Sequence, residues 1–209
     1  MKKGLTTVVL ILILILSSCG LLITQKVLLG VRKPTIQSTD KILKFLAKNT
    51  HLASTMTLSK VEFLHKITQS SNYFAKWEIF DKNGNILIPT DSNIRNCNGY
   101  THSFFKNLPN SKYSVDTSRN IFLDSTITNG LTQLNRTKAE IEKSDKNDYY
   151  LVIYWSTFMG KYSSDLFELE KIARNNKLIS ISTLKINMDF KDYYGYTNKE
   201  INVEQKMKK

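Results

Sequence analysis

Cysteine is almost missing from this chain: Cys19 and Cys97 are the only two among 209 residues. A disulfide scaffold needs more, and a structural zinc site needs four ligands at recognisable spacing. Histidine is equally thin, with His51, His65 and His102 far apart. Cys97 and His102 stand five residues apart, but no second pair accompanies them, so neither a metal nor another cofactor is expected. The eight glycines are dispersed and form no phosphate-cradling loop. Ser156 and Ser163 have no nearby histidine and no Gly-x-Ser-x-Gly elbow, which removes the usual serine-hydrolase pattern.

Arginine is scarce as well. Five arginines stand against 25 lysines, although the net charge is +12. Arginine is the residue suited to bidentate phosphate and base recognition, and the lysines here are scattered singly or in pairs. The charge therefore reads as a solvated surface or as attraction to an anionic surface or acidic partner, and no nucleic-acid partner is expected. Eighteen asparagines accompany the lysines, a composition that an A+T-rich genome also produces.

What the chain does have is a sharply built N-terminus. Lys2 and Lys3 precede an apolar run from Leu5 to Leu16, and Ser17-Ser18-Cys19 follows. That is the layout of a secretory signal. Leu16-Ser17-Ser18-Cys19 resembles the lipobox of bacterial lipoproteins, which implies residues 1–18 as signal peptide and Cys19 as the acylated N-terminus. The competing reading is an uncleaved anchor, because Gly20-Leu21-Leu22-Ile23 extends the uncharged stretch to Thr24 and about 20 apolar residues span a bilayer. Both readings place everything beyond residue 24 outside the inner membrane, in the cell envelope facing periplasm or exterior. Gly20, where lipoprotein sorting in enteric bacteria uses aspartate for inner-membrane retention, favours the outer membrane. With Cys19 lipidated, Cys97 is the sole thiol, either a small buried hydrophobe or a redox handle.

Residues 19–37 read as a tether and 38–209 as one globular domain. Ser38-Thr39-Asp40 starts a helix with Ile42, Leu43, Phe45 and Leu46 at helical spacing and Lys41, Lys44 and Lys48 opposite. Residues 59–69 suit a second helix burying Val61, Phe63, Leu64 and Ile67, although their β-branched and aromatic content also suits a strand. The segment 76–88 predicts a hairpin about Asn83-Gly84, closed by Pro89. A short helix is expected near His102 to Leu108, before Pro109. Residues 126–143 read as helical in their second half, with Lys138, Glu140 and Glu142 on a polar face. Phe190, Tyr193, Tyr194 and Tyr196 form either a last strand with inward rings or an exposed patch, and Gln205 to Lys209 read as a frayed tail.

Tyr149 to Trp155 is an unbroken apolar run, expected for a central strand buried on both faces. A helix over Ser163 to Arg174 follows, capped by Ser163 or Ser164 and ended by a left-handed Asn175-Asn176, and Leu178 to Thr183 gives a second strand. Strand, helix and strand in this order make a βαβ unit with a right-handed crossover. The fold class is therefore α/β or α+β, a mixed sheet with helices against it and a helical or hairpin N-terminal part.

Tyr154-Trp155-Ser156-Thr157-Phe158-Met159-Gly160-Lys161-Tyr162, followed by Leu166 and Leu169-Glu170, resembles the active-site segment of thioredoxin-like, TlpA-type thiol oxidoreductases. The resemblance implies a thioredoxin-like portion over about 113–187. In that family the segment carries Cys-Gly-Pro-Cys; here its two cysteine positions fall on Met159 and Tyr162, its proline on Lys161, and only Gly160 is kept. The family's cis-proline has no counterpart after Pro109, and the 26 residues beyond Thr183 are too few for its closing helix and hairpin. A thioether and a phenol cannot perform thiol–disulfide exchange. The expectation is a redox-inactive, non-catalytic binding or assembly protein, with membrane and another envelope protein or anionic surface as partners. The rival is an enzyme, a redox participant using Cys97.

If Cys19 is acylated, mass spectrometry of membrane-extracted protein finds a chain beginning there and carrying diacylglycerol, and Cys19→Ala accumulates as unprocessed precursor. A full-length chain indifferent to Cys19→Ala rules for the uncleaved anchor.

Overall fold

A computed structural model describes residues 29–49, 55–91, 98–134, 139–141 and 143–201, with only the backbone given at 71 and 98–100. The candidate anchor, Cys19, Cys97, His51 and the basic tail lie outside these residues. Among the described residues no helix is long and apolar enough to cross a membrane.

The central apolar run forms β6 (Tyr149–Trp155), whose seven side chains are all buried. A strand alternates its side chains, so a run buried throughout needs cover on both faces. Both covers are present. Tyr150, Val152 and Tyr154 enter one core, and Tyr149, Leu151, Ile153 and Trp155 enter the other. The remaining strands are β1 (Met56–Leu58), β2 (Lys76–Asp81), β3 (Asn85–Pro89), β4 (Tyr113–Asn120), β5 (Leu131–Gln133) and β7 (Ile181–Asn187). They complete one sheet in the order β4-β3-β2-β6-β7-β1-β5. β7 runs parallel to β6 and to β1, while the other neighbouring strands pair antiparallel.

The helices are α1 (Thr39–Asn49), α2 (Lys60–Gln69), α3 (Asn98–Asn107), α4 (Ser125–Gly130) and α5 (Lys161–Arg174). α1, α3 and α5 cover the Trp155 face, through Ile42, Leu46, Phe104, Phe105, Phe167 and Ala173. α2 and α4 cover the Tyr154 face, through Phe63, Ile67 and Ile127, together with Phe190 and Tyr194 from the C-terminal segment. The architecture is α/β, as expected, and β6-α5-β7 is the expected unit of adjacent parallel strands.

The hairpin also forms. Asp81 Oδ1 accepts hydrogen bonds from the amides of Asn83 and Asn85, both at 2.9 Å, and Gly84 takes φ +87°. The hairpin is neither a sheet edge nor a separate subdomain; it sits between β4 and β6.

Several local expectations are corrected. Among described residues 125–141, the helix is the short α4, followed by β5, and 139–141 are not helical. β4 was not apparent in the sequence because its polar residues line the edge of the sheet. In α2, Val61 is exposed and Lys66 is buried beside Phe63 and Ile67. α5 starts at Lys161, two residues before the expected start, with Gly160 at its N-cap and no side-chain cap. Ser163 turns inward instead: its hydroxyl donates to the Ser156 carbonyl at 2.7 Å. Asn175 ends the helix in a right-handed conformation. The second strand begins at Ile181 and leaves Leu178 exposed. The late aromatics are not a strand; Asp192–Tyr194 is a 3-10 turn that packs Phe190 and Tyr194 inward.

α5 and β7 are joined through a buried ion pair, Glu170 to Lys185 at 3.0 Å, out of hydrogen-bond alignment and so chiefly Coulombic. Removing one partner of such a pair costs about 3–5 kcal/mol, whereas apolar replacement of both is often neutral. Glu170→Ala is therefore expected to lose about that much stability in urea unfolding, and Glu170→Met/Lys185→Met to recover most of it.

Candidate functional site

The residues that carry the resemblance, Trp155 and Met159 to Tyr162, come together at the carboxyl ends of the parallel strands, where open α/β sheets usually hold their ligands. Trp155 ends β6 fully buried, stacked on Phe45 at 5.6 Å between ring centres and edge-on to Phe167 at 5.2 Å. It is a packing residue. Thr157–Met159 is a 3-10 turn, and Gly160 adopts φ +55°, ψ −122°, a conformation that side chains strongly disfavour. Lys161 and Tyr162 are exposed at the start of α5.

Two features hold this loop still. Asp189, beyond β7, accepts both the Thr157 amide (3.0 Å) and the Thr157 hydroxyl (2.8 Å), and the Asn187 amide group at 2.8 Å. It thereby fastens the loop after β6 to the loop after β7. The second feature is the last stretch of the expected tether, which is not free where it is described but lies against the domain. The Lys161 amide donates to the Leu29 carbonyl (2.8 Å), and the Arg32 amide donates to the Phe158 carbonyl (2.7 Å). A Cβ on Gly160 would collide with the Leu29 and Gly30 carbonyls, so the close approach depends on glycine. Further along, Gln37 bonds Phe190 (2.7 Å) and Asp192 (3.1 Å) through the backbone.

Lys191 is completely buried beneath this strap. Its ammonium donates to the Asn187 and Asp189 carbonyls at 3.1 Å each and lies 5.0 Å from the Tyr194 ring. Burial lowers its pKa to about 7, against the opposing pull of Asp189. Burial also raises the Asp189 carboxyl above its ordinary value, partly offset by the donors of Asn187 and Thr157.

A second polar centre, unanticipated from the sequence, lies under α2 on the Tyr154 face. Glu78 of β2 is buried and accepts from Lys76 and Arg119 at 2.7 Å each. Burial alone would raise its pKa, but the two cations outweigh it and hold the carboxyl below its usual range. Lys66 is buried and donates to Asp124 at 2.7 Å, with the Tyr73 ring 5.1 Å away and the Tyr154 ring 5.8 Å away. Asp124 is likewise held low: Lys66 and Thr126 overcome the effect of burial. A cavity of about 360 Å³ opens beside Lys66, Tyr73, Arg119 and Asp124, with His65 at its wall. A sequence signal for this centre did exist. Lys76 and Glu78 share the period-two register of buried Phe80, and Lys66 lies one residue before Ile67 in the buried stripe of α2.

Among the described residues no group of three or more histidine, cysteine or carboxylate side chains is placed to hold a metal. His65 is exposed and 3.9 Å from Glu62, His102 is half-buried in α3, and the hydroxyls of Ser156 and Ser163 donate to backbone carbonyls. The chain matches no family model, no curated protein and no solved structure.

Lys191 gives a pH signature. Its pKa is 10.5 in the unfolded chain and about 7 in the fold, so between these values only the unfolded state gains the proton. Stability should rise from pH 7 toward about 9.5, by at most about 1.4 kcal/mol per pH unit from this group. Below pH 7 the penalty is present in full. Urea midpoints across this range should climb in the wild type and stay nearly level in Lys191→Met.

Proposed function

We propose that this is a membrane-anchored protein of the bacterial cell envelope whose thioredoxin-like segment works in binding or assembly and carries no redox chemistry. The observation that supports this reading best is the contact between Leu29 and the start of α5. In thiol oxidoreductases, amides at a helix N-terminus stabilise the attacking thiolate. Here the first helical amide, that of Lys161, is taken by the Leu29 carbonyl, and the positions of the two sulfurs hold Met159 and Tyr162. A loop closed by backbone contacts and lacking a thiol suits a fixed scaffold better than a reaction centre.

The same contact orients the domain. Ten residues separate Cys19 from Leu29, a reach of at most about 35 Å when fully extended. With Cys19 as the anchor, the carboxyl ends of β6 and β7 would stay near the membrane surface, and exposed Arg32, Lys33 and Lys161 would lie on that side. The α/β fold and the exported N-terminus are consistent with an envelope lipoprotein, with the outer membrane as the favoured location.

An insulin-reduction assay on the full chain in detergent tests the redox part. No turnover above the dithiothreitol background is expected for the wild type or for Cys97→Ser. Turnover that disappears in Cys97→Ser would replace this proposal with a Cys97-dependent redox enzyme.

A further inference from the structure

We propose that the cavity between α2, β4 and the Asp124 turn is a binding site for a small oxyanion, a carboxylate or phosphate group, held by Arg119 and Lys66. This deepens the binding role proposed above and rests on it only in treating the domain as a binding module.

Charge gives the first argument. Lys66, Lys76 and Arg119 are salt-bridged here to Glu78 and Asp124, and Asp116 also feels the Arg119 charge. Glu78 and Lys66 are nearly inaccessible, while Arg119 is partly exposed at the cavity wall, where an added anion is screened less than in open solvent. The two carboxylates fix the cations in place. An anion entering the cavity therefore meets preorganised donors.

Donor capacity gives the second. Arg119 directs one nitrogen to Glu78, yet its side chain is 42% exposed and it lines the cavity. A guanidinium carries five N–H donors in a planar fork suited to carboxylate and phosphate oxygens. Ser118, Ser125 and Thr126 add hydroxyls to the wall.

Size gives the third. At about 360 Å³ the space is at the small end of ligand pockets, fitting a compact anion better than a long chain.

The test is isothermal titration calorimetry on the full chain in neutral detergent near pH 7, with inorganic phosphate and with acetate at matched ionic strength. Saturable one-to-one binding of at least one anion, tighter than about 1 mM, is expected. Phosphate binding alone assigns the site to phosphoryl groups, and acetate binding alone to carboxylates. Arg119→Gln should weaken binding by about tenfold or more, while Lys82→Gln, the same charge change on the exposed hairpin turn, should leave it unchanged. If Arg119→Gln does not fold, Arg119→Lys decides, because it keeps the charge beside Glu78 and loses the planar fork. Absence of saturable binding by the wild type overturns the proposal, as does equal loss in Arg119→Gln and Lys82→Gln, or unaltered binding in Arg119→Lys. Absent binding together with absent insulin turnover would sink this site alone; intact binding with Cys97-dependent turnover would sink only the non-redox reading.

Discussion

β6 carries seven consecutive side chains that must leave water on both faces of the sheet, and most of the architecture answers that demand. A single helical layer could cover only half of them. α1, α3 and α5 therefore lie on the Trp155 side, and α2, α4 and the C-terminal aromatics on the Tyr154 side. Each fully buried large apolar side chain contributes about 1.5–3 kcal/mol, so this one strand organises a large share of the apolar stabilisation. Its position, fourth of seven strands, follows from the same requirement.

A centre this dry also governs where charge can go. The ionic groups that reach the interior come with partners: Glu170 with Lys185, Lys66 with Asp124, Glu78 with Lys76 and Arg119, and Asp189 and Lys191 with backbone and side-chain amide groups. The two faces differ in this respect. On the helix α5 side, one cation meets one carboxylate and the account is neutral. On the α2 side two carboxylates are shared among three salt-bridged cations, and a cavity lies beside them.

At the strand ends the constraint is backbone and not side chain. Asp189 draws the loops after β6 and β7 together, while residues 29–37 lie across both by main-chain hydrogen bonds. Gly160 makes room for that approach, and Gly30 takes the positive φ of +62° that the strap needs there. The strap thus joins the chain leaving the N-terminal segment directly to the centre of the sheet.

The sequence by itself determined the elements whose signal is local. Tyr149 to Trp155 announced a doubly covered strand by an unbroken apolar run, Asn83-Gly84 announced a tight turn, and the stripe of Ile42 and Leu46 announced α1; each depends on neighbours a few residues away. Tyr154 to Tyr162 also carried a resemblance to a thiol oxidoreductase segment, with Met159 and Tyr162 where that segment has its sulfurs. Tertiary structure alone decided what depends on partners distant along the chain. β4 is a strand because β3 offers it hydrogen bonds, although its own residues are polar. Ser163 abandons a capping role because the Ser156 carbonyl is within reach. Lys66 and Glu78 are buried because Asp124 and Arg119, 58 and 41 residues away, supply their counter-charges. Burying a charge costs heavily unless it is paired, and the pairing residue is known only once the chain has folded.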